Sequence, residues 1–304
     1  ADITVSRDTV SFANSYGIQA TNGARIVIEE CRSSDNNLHG IGLTNGSTAC
    51  TVRSNESFRN ADPVLRRANG IYLNAAPANI LTGNRVHDNQ DSGLQFVAGA
   101  NNCIANNNRS WNNGDHGFDH LNASGTIHIH DTAFGNYKDG FSIEGASPNT
   151  RINDCIAIGN GITTDEFNLW VNDLSSVGFI SDYNIFWNPT SQEPIKYITT
   201  KYPTMAGYRA ASGQDTHSLQ LDPRFVNGPA GDFHLMAGSP AIDAGTSGVP
   251  DWPALDADRR PRVDDPATDN TGAGPVAFPD RGSFEFLTDQ APVVTAPATA
   301  TVAE

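Results

Sequence analysis

Positive charge is scarce in this chain. Its 304 residues carry 19 Lys and Arg against 34 Asp and Glu, a formal charge of −15, and only 17% of residues are charged at all. A bare acidic surface repels a phosphate backbone, so nucleic acid is excluded as a partner. Long apolar runs are missing as well. None approaches the ~18–20 residues that cross a bilayer, so no membrane span is expected. No helical stripe of apolar residues stands out. Cysteine is sparse, with Cys31, Cys50, Cys103 and Cys155 far apart in the chain. The chain starts at Ala1 without a signal-type apolar segment, as a processed chain would. The Pro/Ala/Thr/Val-rich stretch 289–304 reads as a linker to a missing downstream module, which makes the expected state a monomer within a larger multidomain chain.

Glycine is plentiful, at 28 residues, and part of it is periodic. The segments HGIGL (39–43), NGIYL (69–73), SGLQF (92–96), HGFDH (116–120) and DGFSI (139–143) align on Gly40, Gly70, Gly93, Gly117 and Gly140, at spacings of 30, 23, 24 and 23. Asn36, Asn89, Asn113 and Asn136 stand four residues before their glycines; Asn60 and Asn160 extend the series. Five residues earlier runs a second column of Cys31, Asn55, Asn84, Asn108, Asp131 and Cys155. A period of 23–24 with short alternating strands predicts an all-β parallel β-helix, because stacking such units buries a continuous core. Coils stack at about 4.8 Å, so like residues form ladders. Buried Asn side chains then satisfy the turn backbone of adjacent coils. A leucine-rich solenoid is excluded by its absent leucine spacing. Positions +1 and +3 after each glycine are predicted to point inward and position +2 outward. In this register Cys31 and Cys155 lie five coils apart. Cys50 and Cys103 lie two coils apart, about 9–10 Å, beyond the ~7 Å reach of a disulfide. All four are expected to be buried free thiols.

Coils are predicted over 1–190. An excursion, final coils and a cap follow over 191–288, with a short helix around Met205–Ala211. The pieces SLQLDPRFVN (218–227), GDFHLMAGSPAIDAG (231–245) and DRGSFEF (280–286) resemble the closing segment of many secreted bacterial β-helix proteins. That resemblance implies a secreted or cell-surface protein whose open sheet edge is capped.

Acidic residues gather on neighbouring coils. Asp91 and Asp115 stand two positions before their glycines, and Asp119 takes the outward position after Gly117. Glu144 and Asp139 lie one coil on. Stacked carboxylates repel unless one takes a proton or a hard cation sits between them, which points to Ca2+. The bland alternative is a solvated acidic turn.

The run GDHGFDH (114–120), with Asp91 one coil earlier, resembles the calcium site of pectate lyases of polysaccharide lyase family 9, which are right-handed parallel β-helices. The resemblance implies that handedness, calcium on Asp91, Asp115 and Asp119, and β-elimination on an acidic polysaccharide. His116 replaces the second Asp of the family's consecutive pair. The family's proton-abstracting lysine lies in a Gly-Phe-Lys strand; here Ser142 holds its place, and Lys138 is the nearest substitute. The same stretch is similar to alginate C5-epimerases, which carry Tyr-Gly-Phe-Asp-Pro-His and a further carboxylate one coil later. Gly117, Phe118 and Asp119 match, Glu144 stands at the second carboxylate, and His120 neighbours the family's histidine position, held by Leu121.

Both families use one chemistry. The C5 proton of a uronate is alpha to its carboxylate; neutralising that carboxylate acidifies the proton, and a base removes it. Lys138, His116 and His120 are the candidate bases, with Asp119 and Glu144 as catalytic carboxylates. Arg66 and Arg67, in the insert 62–68, are candidates to hold substrate carboxylates. Tyr72 and Trp170 are outward candidates for sugar stacking, with Trp111 assigned to the core. His128 and His130 alternate with Ile127 and Ile129 and are predicted to face outward, where a two-histidine zinc site would lack a third ligand. The leading expectation is a calcium-assisted lyase. A uronate C5-epimerase, a glycoside hydrolase using paired carboxylates, and a non-catalytic carbohydrate-binding or adhesin stalk are the alternatives.

Overall fold

The computed structural model describes residues 2–287, so the expected linker 289–304 lies outside the described residues. Each coil contributes three short strands, and successive coils pair in parallel to give three long sheets. Sheet one runs over eight coils from Ile3–Ser6 to Ile180–Asp182, and sheet two from Thr9–Ser11 to Ile185–Trp187. Sheet three runs from Ile18–Thr21 to Ile195–Tyr197 and ends on the antiparallel strand Thr200–Tyr202.

On sheet three the predicted parity holds. Ile41, Ile71, Leu94, Phe118, Phe141 and Leu169 form one inward row, and Leu43, Leu73, Phe96, His120, Ile143 and Val171 the other. Burying one such aliphatic or aromatic side chain is worth about 1.5–3 kcal/mol. Phe118 stacks on Phe141 at 4.7 Å, and Phe96 on His120 at 4.8 Å.

Both asparagine columns are ladders. Asn113 Nδ2 donates to Asn136 Oδ1 at 3.0 Å, and its own Oδ1 accepts from Asn89 Nδ2 at 3.0 Å. In the second column Asn84 donates to Asn108, and Asn108 to Asp131. The glycine column follows from the same packing. A Cβ on Gly117 would sit 2.7 Å from the carbonyl oxygen of Gly140 and 2.8 Å from Asn136 Nδ2. Space, rather than backbone torsion, demands glycine there.

The four cysteines are buried and free. The helix Met205–Ser212 is capped by Thr204, which accepts from Gly207 N–H, and by Gly213 in the left-handed region at φ 70°. Met205 and Tyr208 bury themselves against the last coils, closing that end of the core. No described helix is long and apolar enough to cross a membrane. The segments after Asn227 do something else: they run back along the outer side of sheet two. Arg259 reaches Glu30 and Ser54 in the early coils, and Ser283 Oγ bonds Thr132 Oγ1 at 2.9 Å.

Three expectations are corrected. His128 faces inward, because register places it in the inner row Val52, Leu81, Ala105, His128, Ile152. Isoleucines on either side of it gave the opposite parity. His130 is buried in the following turn beneath the returning segment, where Ser283 Oγ donates to its carbonyl. Trp111 is buried without belonging to the coil interior. It sits in the outward row Phe58, His87, Trp111, Phe134, and Phe233 of the returning segment packs edge-on against it at 5.6 Å.

Candidate active site

The site is built where the turn between sheets two and three enters sheet three. Residues just before the glycines lie in a column whose side chains reach the next coil's backbone. Asn69 Oδ1 accepts the Ser92 N–H at 2.9 Å, and Asp139 Oδ1 accepts the Phe167 N–H at 2.7 Å. His116 occupies this column. Its Nδ1 is 3.1 Å from Asp139 N and 3.2 Å from Asp139 Oδ2. The tautomer with its proton on Nε2 accepts the backbone N–H there, whereas a ring carrying its proton on Nδ1 donates to the carboxylate and leaves Nε2 as the free lone pair. Nε2 faces the opposite way, 3.6 Å from Asp115 Oδ2 and 4.0 Å from Glu144 Oε1.

Asp119 holds the outward position beside this ring. Its Oδ2 accepts from Gln95 Nε2 at 2.7 Å and Ser92 Oγ at 3.1 Å. Burial raises its pKa, with His116 and the Gln95 bond acting against that rise. Burial and then Asp119 raise Glu144, which accepts from Ser142 Oγ at 3.2 Å. Burial, then Asp115, lifts Asp91 to about 6. For His116 burial works against the charged form, but the Asp139 bond and the charges of Asp119, Asp139 and Asp115 outweigh it and carry the ring to about 9.

The repulsion expected among stacked carboxylates is met partly by the chain's own cations. Arg66 Nη1 lies 3.0 Å from Asp115 Oδ1 and 2.9 Å from the Gly114 carbonyl, and its Nε is 3.7 Å from Asp91. Lys138 Nζ lies 2.9 Å from Asp115 Oδ1. Its pKa is pushed up: burial opposes, and the Asp115 bond prevails. Lys138 is thus a held cation rather than a free amine.

The structure therefore brings together Asp91, Asp115, His116, Asp119, Lys138, Glu144 and Arg66. Arg67 stays with its own insert, 2.6 Å from Asp62, which also caps Val64 and Leu65 N–H. His120 points into the core, 3.0 Å from His128 Nε2, and burial drives its pKa well down. Tyr72 and Trp170 stand on the same outward row as Asp119, two coils away on either side. Tyr72 stacks on His39 at 4.0 Å. Sequence reasoning missed Ser92 and Gln95 as donors to Asp119. It also missed Asp139 as the partner of His116. The pre-glycine column was the available signal for Asp139.

Asp115, His116 and Asp119 each offer one ligand atom, and these atoms lie within 4.8 Å of one another. The carboxylates of Asp115 and Asp119, with Asp91 alongside, supply hard oxygen ligands that fit a divalent cation without the imidazole.

Fold and site together define a right-handed parallel β-helix with a carboxylate-rich outer face on sheet three. The chain belongs to the right-handed beta helix family, whose pattern matches residues 1–107 and 66–180. Among solved structures it is similar to the pectate lyase Pel9A, at 18% identity and a TM-score of 0.63, covering 92% of this chain and 70% of that one. It is also similar to the periplasmic alginate epimerase AlgG, at 15% identity and a TM-score of 0.50, covering 63% of this chain and 50% of that one. The chain thus spans about half the length of the epimerase. At these identities the likeness is one of fold. No curated protein matches by sequence.

Proposed function

We propose that this protein acts on a uronate-containing polysaccharide and cleaves it by β-elimination. The observation that carries this reading is the Asp115–His116–Asp119 group, its ligand atoms within 4.8 Å of one another and flanked by Arg66 and Lys138. The likeness of fold to a pectate lyase and an alginate epimerase supports it. Arg66 and Lys138 offer cations to a substrate carboxylate, at the expense of some of their contact with Asp115. Calcium, held by Asp91, Asp115 and Asp119, would neutralise that carboxylate further and acidify the C5 proton.

His116 Nε2 is the base in this reading. Asp139 holds the proton on Nδ1, which leaves the Nε2 lone pair facing the substrate. The C5–H electron pair becomes the C4=C5 double bond as the C4–O bond breaks. The leaving oxygen takes a proton from Glu144, whose carboxyl burial favours the protonated form. Return of a proton to C5 from the opposite face gives epimerisation instead. Incubation with polygalacturonate, alginate and glycosaminoglycans, with and without calcium, tests this. Ultraviolet absorbance of unsaturated uronate is expected to grow with at least one polymer. H116A is expected to lose at least a hundredfold in rate. No absorbance with any uronate polymer under either condition overturns the lyase reading. A changed uronate composition by NMR without chain cleavage replaces it with the epimerase.

A further inference from the structure

Register extends the outward row of sheet three beyond the site. Asp119 pairs with Ser142, Ser142 with Trp170, and Trp170 with Lys196. At about 4.8 Å per coil, Trp170 lies about 10 Å from Asp119 along the axis and Lys196 about 14 Å. Lys196 sits in Ile195–Tyr197, past the point where the sequence repeat fades, so the repeat gave no sign of it.

Two features set this end of the row apart. Lys196 Nζ rests 4.3 Å above the Trp170 ring. No carboxylate lies within 4.0 Å of it among the described residues, whereas Lys138 and Lys201 are both ion-paired. In a chain of charge −15, a lysine without an ion pair on a half-buried face is a cation held in reserve. Trp170 is half-buried: its indole Nε1 is shielded from solvent, while the rest of the ring is partly open. The residue between the two centres is small: Ser142, with its hydroxyl turned to Glu144.

We infer that Trp170 and Lys196 form a second subsite for an anionic sugar, so that the glycan lies along the helix axis with its uronate rings over successive coils. The inference rests on the uronate reading above and deepens it. The indole takes the apolar C–H face of a pyranose ring. The sugar carboxylate draws the ammonium from the indole into a charge-assisted hydrogen bond, the stronger of the two interactions. Lys196 thereby selects an acidic sugar at this subsite, while Trp170 accepts any pyranose.

Affinity electrophoresis of K196Q, K196R, W170A and wild type tests this, in gels containing polygalacturonate, alginate or the same polymers reduced at the carboxyl. K196Q is expected to bind the acidic polymer about tenfold more weakly, the scale of one lost charge-assisted contact. It is expected to match wild type on the reduced polymer. K196R should restore retention, and W170A should weaken binding to both. Wild-type retention in K196Q and W170A overturns the subsite, as does a wild type retarded by neither acidic polymer. If K196Q loses retention while wild type forms no unsaturated product, the subsite stands and the lyase reading falls. If product forms and neither variant changes retention or KM, the reverse holds.

Discussion

A buried imidazole needs its hydrogen bonds met, and His39 meets one by accepting the Asn69 N–H at Nδ1, 3.0 Å away. Burial, then the charge of Arg67, lowers its pKa to about 3. The unfolded chain, with a histidine near 6.5, takes up a proton that the folded ring refuses. Stability therefore falls as pH drops from 6.5 towards 3, by up to about 1.4 kcal/mol per pH unit from this residue. Asn is the natural replacement, since Asn69 fills the same role on the next coil. Between pH 7 and 5, wild type is expected to lose about 1.5–2 kcal/mol more than H39N in urea denaturation. Equal losses would mean that His39 is protonated in the folded state. His128 is the deeper case. The Ser142 carbonyl fixes a proton on His120 Nδ1, so His120 Nε2 accepts from His128 Nε2, and one proton is left between His128 Nδ1 and Asp131 Oδ2 at 2.8 Å. That chain of partners is why an imidazole sits in an aliphatic row. It also shows why sequence misread it: a three-residue strand carries its parity in a single position, and the partners come from other strands.

At the scale of the coil, the asparagine ladder joins successive turns alongside backbone bonds such as Gly114 N–H to the Asn89 carbonyl. Asn113 makes bonds to Asn89, Asn136, Ser110 Oγ and the Val86 carbonyl. N113A strands several buried polar groups at once and is expected to cost about 2–4 kcal/mol. N37A, one position beyond the ladder on an exposed turn, should cost under about 0.5 kcal/mol. Thermal unfolding of both variants checks this; similar losses would deny the ladder its role. These columns were the most readable feature of the sequence, because stacking forces each coil to repeat the residue that its neighbour needs. Asp115 and Asp119 were readable because those columns fix the register of the residues around each glycine. Lys196 was not, since its strand opens on Pro194 and Ile195 without the glycine that marks the earlier coils.

For the whole molecule, the returning segment binds the coils lengthwise. Arg262 and Glu285, both buried, pair at 2.8 Å, and Arg262 also reaches Asn107 Oδ1 at 3.1 Å. Removing one partner leaves a buried charge uncompensated, so R262A is expected to cost about 3–5 kcal/mol in urea unfolding. R262M/E285M, which removes both charges, should cost less than R262A alone. If the double variant is the weaker protein, the pair stabilises by more than mutual compensation. Sequence marked this segment as an end cap. Its path along sheet two depends on contacts such as Trp111–Phe233 and Ser283–Thr132, far apart in the chain and outside any repeat.

The tight glycine column described above keeps the coils in strict translation along the axis. The outer row of sheet three then behaves as a lattice of addresses, one side chain per coil. A residue placed at any address is already aligned with Asp119, with no adjustment of the backbone. Specificity can therefore be rewritten one substitution at a time, and duplicating a coil would lengthen the track while leaving both of its ends intact.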